Sequence, residues 1–205
     1  MRLKSIALAS AIIAIAMSNP AALAQEIRLF AAGPLRERAS TRIVLWKGDR
    51  PHGQYVIQFG RPAWKKDYAG DQLGQLTRGK IWRLGNNFWT TLDTGLKLRI
   101  GDAEVPAGYY YLAVWRRQDG EAWELLLIDP KKCRERRLES YEVETLPGQV
   151  PILWRAALKF ENVEDSQERL VIRLAPVEGS PTRAALQIRW GHLKLAADIA
   201  ALPES

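Results

Sequence analysis

Between Gly79 and Leu92 the chain reads GKIWRLGNNFWTTL, which places one guanidinium, two amides and two indoles within a single short stretch. Arg83 lies between Trp82 and Leu84, where a guanidinium can stack on an indole or hold a carboxylate or anionic ligand through two parallel hydrogen bonds. Residues two apart on a strand share a face, so Phe88, Thr90 and Leu92 form the more apolar side, and Trp89 falls with Thr91 and Asp93 on a side expected to meet solvent. Trp64 stands in the polar context Pro62-Ala63-Trp64-Lys65-Lys66-Asp67-Tyr68, a loop. Trp64, Trp82 and Trp89 are therefore candidate stacking platforms, with Arg83 and Asn87 supplying orientation. Each also has a plainer role: the indoles as local packing or a cap over a sheet end, and Arg83 as a tie to a buried carboxylate or to the carbonyls of the Gly85-Asn86-Asn87 turn.

Catalytic chemistry finds less support. His52 and His192 are the only histidines and do not form an HxH or HxxxH pair, so neither a metal site nor a cofactor is expected. There is no G-x-S-x-G elbow and no phosphate loop. Asp93, Asp102, Glu104 and Glu124 read as solvated strand or turn acids, and a hydrolase would need two carboxylates brought together in space near Arg83. Cys133 is the lone cysteine, which rules out an internal disulfide; it reads as a loop thiol, although the cations around it could lower its pKa. The surrounding run, Lys131, Lys132, Arg134, Arg136 and Arg137, reads as a solvated loop or as a contact for an anionic glycan or lipid head group of the cell envelope.

The elements that would position these groups are short segments rich in Val, Ile, Leu, Tyr and Trp, broken about every ten residues by Gly, Pro, Asn or Asp, the pattern of an antiparallel all-β domain. Strands are expected at 42–47, 54–60, 80–84, 88–94, 97–100, 108–116, 122–128, 140–146, 153–161, 168–174, 184–190 and 192–199. About a dozen strands point to a two-layer, jelly-roll-like sandwich. Alternation assigns Trp46, Trp123, Trp154 and Trp190 to the core, with Phe160 on the Trp154 face. The aromatic stripe Tyr109, Tyr111 and Trp115 would meet a second layer or line a groove; a purely structural or assembly role predicts a broad apolar patch there. The segment 61–78 has the weakest periodicity, and long ordered loops often carry function.

Residues 1–24 have the form of a secretory signal: Arg2 and Lys4, an apolar run from Ile6 to Met17, then Asn19-Pro20 and Ala22-Leu23-Ala24. The expected organisation is signal 1–24, extension 25–40, one domain 41–200 and tail 201–205, with a periplasmic or secreted destination and no transmembrane segment after processing. Of 30 basic residues, Arg2 and Lys4 belong to the signal; the 28 left face 23 acids, a mature charge of about +5, too modest and scattered for nucleic acid.

Taken together, GKIWRLGNNFWTT, then IGDAEVPAGYYYLAVW and EAWELLLI, resemble the DUF2911 family of exported bacterial proteins, whose motif runs approximately G-K-x-W-R-x-G-A-N-E-A-T-T and then I-G-G-x-x-V-P-A-G-x-Y-x-L. The similarity extends over roughly 40–199. It implies an exported all-β domain of unknown function and little chemistry. Phe88 and Trp89 replace the motif's Glu and Ala, which removes a carboxylate and adds aromatic surface. The leading expectation is a non-catalytic module binding a small polar or glycan-like ligand or an envelope partner; an envelope hydrolase and a structural protein are the alternatives.

Overall fold

The computed structural model describes residues 37–202. The signal and most of the N-terminal extension expected from the sequence lie outside the described residues. Ten strands follow in order: β1 (Arg38–Lys47), β2 (Arg50–Gly60), β3 (Ile81–Arg83), β4 (Thr90–Thr94), β5 (Lys97–Ile100), β6 (Ala103–Val105), β7 (Gly108–Arg116), β8 (Trp123–Ile128), β9 (Ile152–Pro176) and β10 (Arg183–Leu202). Two one-turn-plus helices, α1 (Asp71–Thr77) and α2 (Pro130–Arg136), interrupt them. The expected all-β, antiparallel class is what the chain adopts. The domain edges reach slightly further than expected, since β1 takes in residues 38–40 and β10 takes in Ala201 and Leu202.

The strands hydrogen-bond in the spatial order β1-β2-β4-β7-β8-β9-β10-β5-β6, every named pair antiparallel, with β3 beside β7. The long β9 makes the turn between layers. Its first residues pair with β8, and from Lys159 onward it pairs with β10. Leu92, Leu112, Leu125 and Leu127 of one layer share a core with Ile172, Ile188, Leu195 and Ile199 of the other. A second, smaller core lies on the outer face of β7 and β8, where Ala113, Leu126 and Ile128 meet Cys133, Leu138, Val143 and Val150. Leu125 to Ile128 are consequently buried as a continuous run, because both faces of this part of the sheet are covered.

The outer cover corrects two expectations. The basic run is a helix, α2, not a loop: Asp129 accepts hydrogen bonds from the backbone N–H groups of Lys131 and Lys132 (2.8 and 3.1 Å), Pro130 occupies the first turn, and Arg137 ends it at φ 55°. Cys133 points inward and is 1% exposed; burial pushes its thiol up to about 11, opposite to a cation-activated thiolate. Residues 140–146 form turns instead of a strand, since the Glu142 carboxylate accepts from Glu139 N and its carbonyl from Leu146 N, local bonds that displace a ladder.

Alternation assigns Trp123 and Trp190 correctly, at 1% and 5% exposure. At Trp46 the expected core face is the wrong one: Ala39, Ile43 and Leu45 form the core-facing side of β1, so alternation leaves the Trp46 indole on the outer side, exposed. Trp154 is half-buried, edge-on to Tyr110 at 5.4 Å, while Phe160 is largely outside the core.

Candidate functional site

The five residues singled out in the sequence separate into two groups. Trp64, Trp82 and Arg83 gather around Trp190, whereas Asn87 and Trp89 lie on the outer side of the first layer. The separation comes from β3 and β4, which sit end to end along β7: Ile81 to Arg83 pair with Trp115 to Ala113, and Thr90 to Thr94 pair with Leu112 to Gly108. Residues 84–89 loop out between them, Gly85 at φ 112° and Asn87 at φ 68°, and the Thr90 hydroxyl closes the loop by donating to the Leu84 carbonyl.

That loop reverses two expectations. Trp89 keeps the face shared with Thr91, as period two requires, but this face is covered: the indole is 9% exposed and stacks on Tyr111 at 4.5 Å and 5°. Phe88, expected inside, precedes the first ladder residue of β4 and is 58% exposed. Asn87 is exposed and contributes its carbonyl, which accepts from the buried Ser140 hydroxyl at 3.1 Å, so the loop is tied to the outer cover.

Around Trp190 the rings form a cluster. Its Nε1–H donates to the Pro62 carbonyl at 3.0 Å. Trp64 stands perpendicular to it at 5.1 Å, Tyr68 lies 5.2 Å away and Trp82 4.7 Å away. Backbone bonds place Trp64: its N–H donates to Glu168 O (2.7 Å), and Leu170 N–H donates to Pro62 O (3.0 Å), so residues 62–64 attach to β9. Gly191 is required beneath it, because a Cβ there would fall 2.2 Å from the Trp64 ring and the backbone has φ 56°.

An open cleft of about 1160 Å³ lies against Trp64 and Tyr68. One wall is the segment 69–75, which includes the start of α1. The other is a bulge in β9, where Gln167 pairs with Gly191 and Asn162 with Leu193, so residues 163–166 face His192 alone. Three contacts brace this bulge: Arg189 Nη2 donates to Asp165 O and Oδ2 (2.9 and 3.0 Å), and His192 Nδ1 lies 2.9 Å from Val163 O. Phe160, displaced from the core, lines the cleft.

At the cleft's end sit Arg78 and Arg116. Arg116 is held by the Gly120 carbonyl (3.0 Å) and the Thr77 hydroxyl (3.1 Å), with its guanidinium 5.2 Å above the Trp123 ring. Burial, then the charge of Arg78, lowers its pKa. Among the described residues neither arginine has a carboxylate within ion-pair distance. The 61–78 loop is legible in the residue order as a candidate functional segment, whereas the roles of Tyr68, Arg78, Arg116 and Phe160 are not. The β9 split between 161 and 168, with Gly191 separating the partner segments, was the available signal for the second wall.

Arg83 faces Glu144 at 3.9 Å, both about one-third exposed, beside a smaller cavity of about 300 Å³ that Trp82 and Trp190 share. Among the described residues no group of three or more His, Cys, Asp or Glu side chains is placed to hold a metal ion.

The fold and cleft define an antiparallel β-domain with an aromatic, guanidinium-ended cleft. The chain belongs to the DUF2911 family, described as a protein of unknown function, whose family model matches residues 49–199. Searches of curated proteins and of solved structures found no match.

Proposed function

We propose that this protein is an exported, non-catalytic binding module whose principal site is the cleft between Trp64 and the β9 bulge, and that its ligand is a small polar, ring-bearing molecule such as a glycan unit. The observation that carries this reading is the pairing of Trp64, Tyr68 and Phe160 with Arg78 and Arg116 in one cleft. The rings offer apolar faces to a sugar or heterocycle, and the guanidinium groups offer fixed donors to its oxygen-rich edge. The leader-like residues 1–24 support export.

The alternatives draw less support. A hydrolase would be favoured by two carboxylates converging near Arg83, and among the described residues only Glu144 lies within 4 Å of it. An assembly patch would need Tyr109, Tyr111 and Trp115 open together, whereas Tyr111 is stacked beneath Trp89 and Trp115 lies under the Arg155 guanidinium at 5.0 Å.

Thermal-shift screening with a glycan panel tests the reading. A hit should raise Tm in the parent and lose its shift in both Trp64→Ala and Arg78→Gln while those variants remain folded. Shifts retained in both variants would move the ligand elsewhere, and turnover of the hit would overturn the non-catalytic assignment.

A further inference from the structure

The outer face carries a second concavity, a groove of about 770 Å³ between the β4–β7 surface and the C-terminal end of α2. Its floor is the Trp89–Tyr111 stack, and its rim includes two rings left open to solvent, Phe88 at 58% and Tyr109 at 48% exposure. Three guanidinium groups reach it from two distant parts of the chain: Arg38 from β1, Arg134 and Arg137 from the end of α2. The lining holds one carboxylate, Glu139, against these three cations. No described carboxylate lies within ion-pair distance of any of the three.

Helix-end electrostatics account for only part of this arrangement, since Arg134 and Arg136 both stand in the last turn of α2 whereas Arg38 comes from β1. A cation in the last turn of a helix offsets the partial negative charge of its carbonyl end, and Arg136 does so in addition to donating to the Gln149 carbonyl at 2.6 Å. Arg134, in the same last turn, lies beside the Tyr111 hydroxyl, on the groove side. Arg38 is held in place by a bond from Nη2 to the Trp89 carbonyl at 3.2 Å, and its Nη1 is enclosed with no acceptor among the described residues. Converging like charges repel one another unless an anion sits among them, and forked guanidinium groups match carboxylate and phosphate oxygens.

We propose that this groove is a second binding site, independent of the Trp64 cleft, for an oxyanion borne on a sugar ring: a uronic acid or a sugar phosphate. Arg134 and Arg137 hold the oxyanion, Arg38, whose guanidinium lies 6.0 Å over one side of the Phe88 ring, completes the positive field, and the solvent-exposed sides of Phe88 and Tyr109 receive the ring. Its volume suits one or two sugar units.

Calorimetric titration of the full mature chain with glucuronate, glucose 1-phosphate, methyl glucoside and inorganic phosphate tests this. Glucuronate or glucose 1-phosphate should bind, methyl glucoside and inorganic phosphate at least about tenfold more weakly, with affinity falling as salt rises. The double variant Arg134→Gln/Arg137→Gln should weaken the charged probe about tenfold or more, and Tyr109→Ala should weaken it less. Arg117→Gln, at a surface pair with Asp119, is the folded control. Equal binding of methyl glucoside, equal binding of inorganic phosphate, unchanged affinity in the double variant, or no heat from either charged sugar would each overturn the proposal. Charged-probe binding lost in Trp64→Ala and Arg78→Gln but kept in the groove variants would assign the probe to the cleft and refute the groove, leaving the first reading intact.

Discussion

At Trp64 an indole from an aperiodic loop stands against Trp190 and stays half open, walling a cleft; at Trp89 an indole at the start of a strand is shut in by Tyr111 and the α2 cover. Local sequence favours the same role for both, a ring amid polar neighbours. What differs is the layer above. The inner-layer edge near Trp64 is opened by a bulge in β9 and a loop attached to its side, whereas the outer face near Trp89 is roofed by residues 129–150. Exposure of an aromatic side chain is thus decided by what covers its face, and alternation states only which face that is.

The sharpest way to break this comparison is truncation of the two neighbours in the 84–89 loop. Trp89→Ala should cost about 3–5 kcal/mol in urea unfolding, the range for emptying a buried aromatic site, while Phe88→Ala should stay within about 0.5 kcal/mol. Similar costs for the two would mean that the outer cover does not enclose Trp89. Next in size is Gly191→Ala. The methyl group would meet the Trp64 ring at a backbone position of φ 56°, so a loss of about 2–3 kcal/mol is expected, together with altered tryptophan fluorescence and loss of cleft ligands. A neutral outcome there would show that Trp64 does not rest on Gly191.

Cys133 sharpens the outer half of the comparison. Its thiol, raised by burial from 9.0 to about 11, binds its proton more tightly in the folded chain than in the unfolded one. Its stabilising contribution is therefore present below pH 9 and lost as pH rises through about 11. Native protein should resist a thiol-specific reagent at pH 8 and react fully on unfolding, and the Tm advantage over Cys133→Ala should shrink above pH 9. Rapid native labelling would place the thiol at the surface. The smallest expected effect is Arg83→Ala. At 3.9 Å and one-third exposure, its pairing with Glu144 contributes no more than about 1 kcal/mol, measured by a double-variant cycle with Glu144→Gln.

Much of the architecture could be read from residue order. The alternating segments, their Gly, Pro and Asn breaks, and the motif from Gly79 to Thr91 point to an antiparallel β-domain and to its family, and nine strands in one antiparallel path, with β3 beside β7, follow. The helix at 130–136 was legible too, through Asp129 and Pro130 as a start signal, but the charge run obscured it. The site was only partly legible. Trp64, Trp82 and Arg83 do converge, and the 61–78 loop does form a wall, yet Arg78 and Arg116 lie far apart in sequence and Phe160 looked like core.

The chain's own order determined which residues share a strand face, because a pleated backbone sends neighbouring side chains to opposite sides whatever surrounds it. Only the tertiary structure decided which faces are covered and which stay open. That depends on a roof folded from residues 129–150 and on a four-residue bulge set against His192, contacts between segments whose spacing along the chain carries no trace of their meeting.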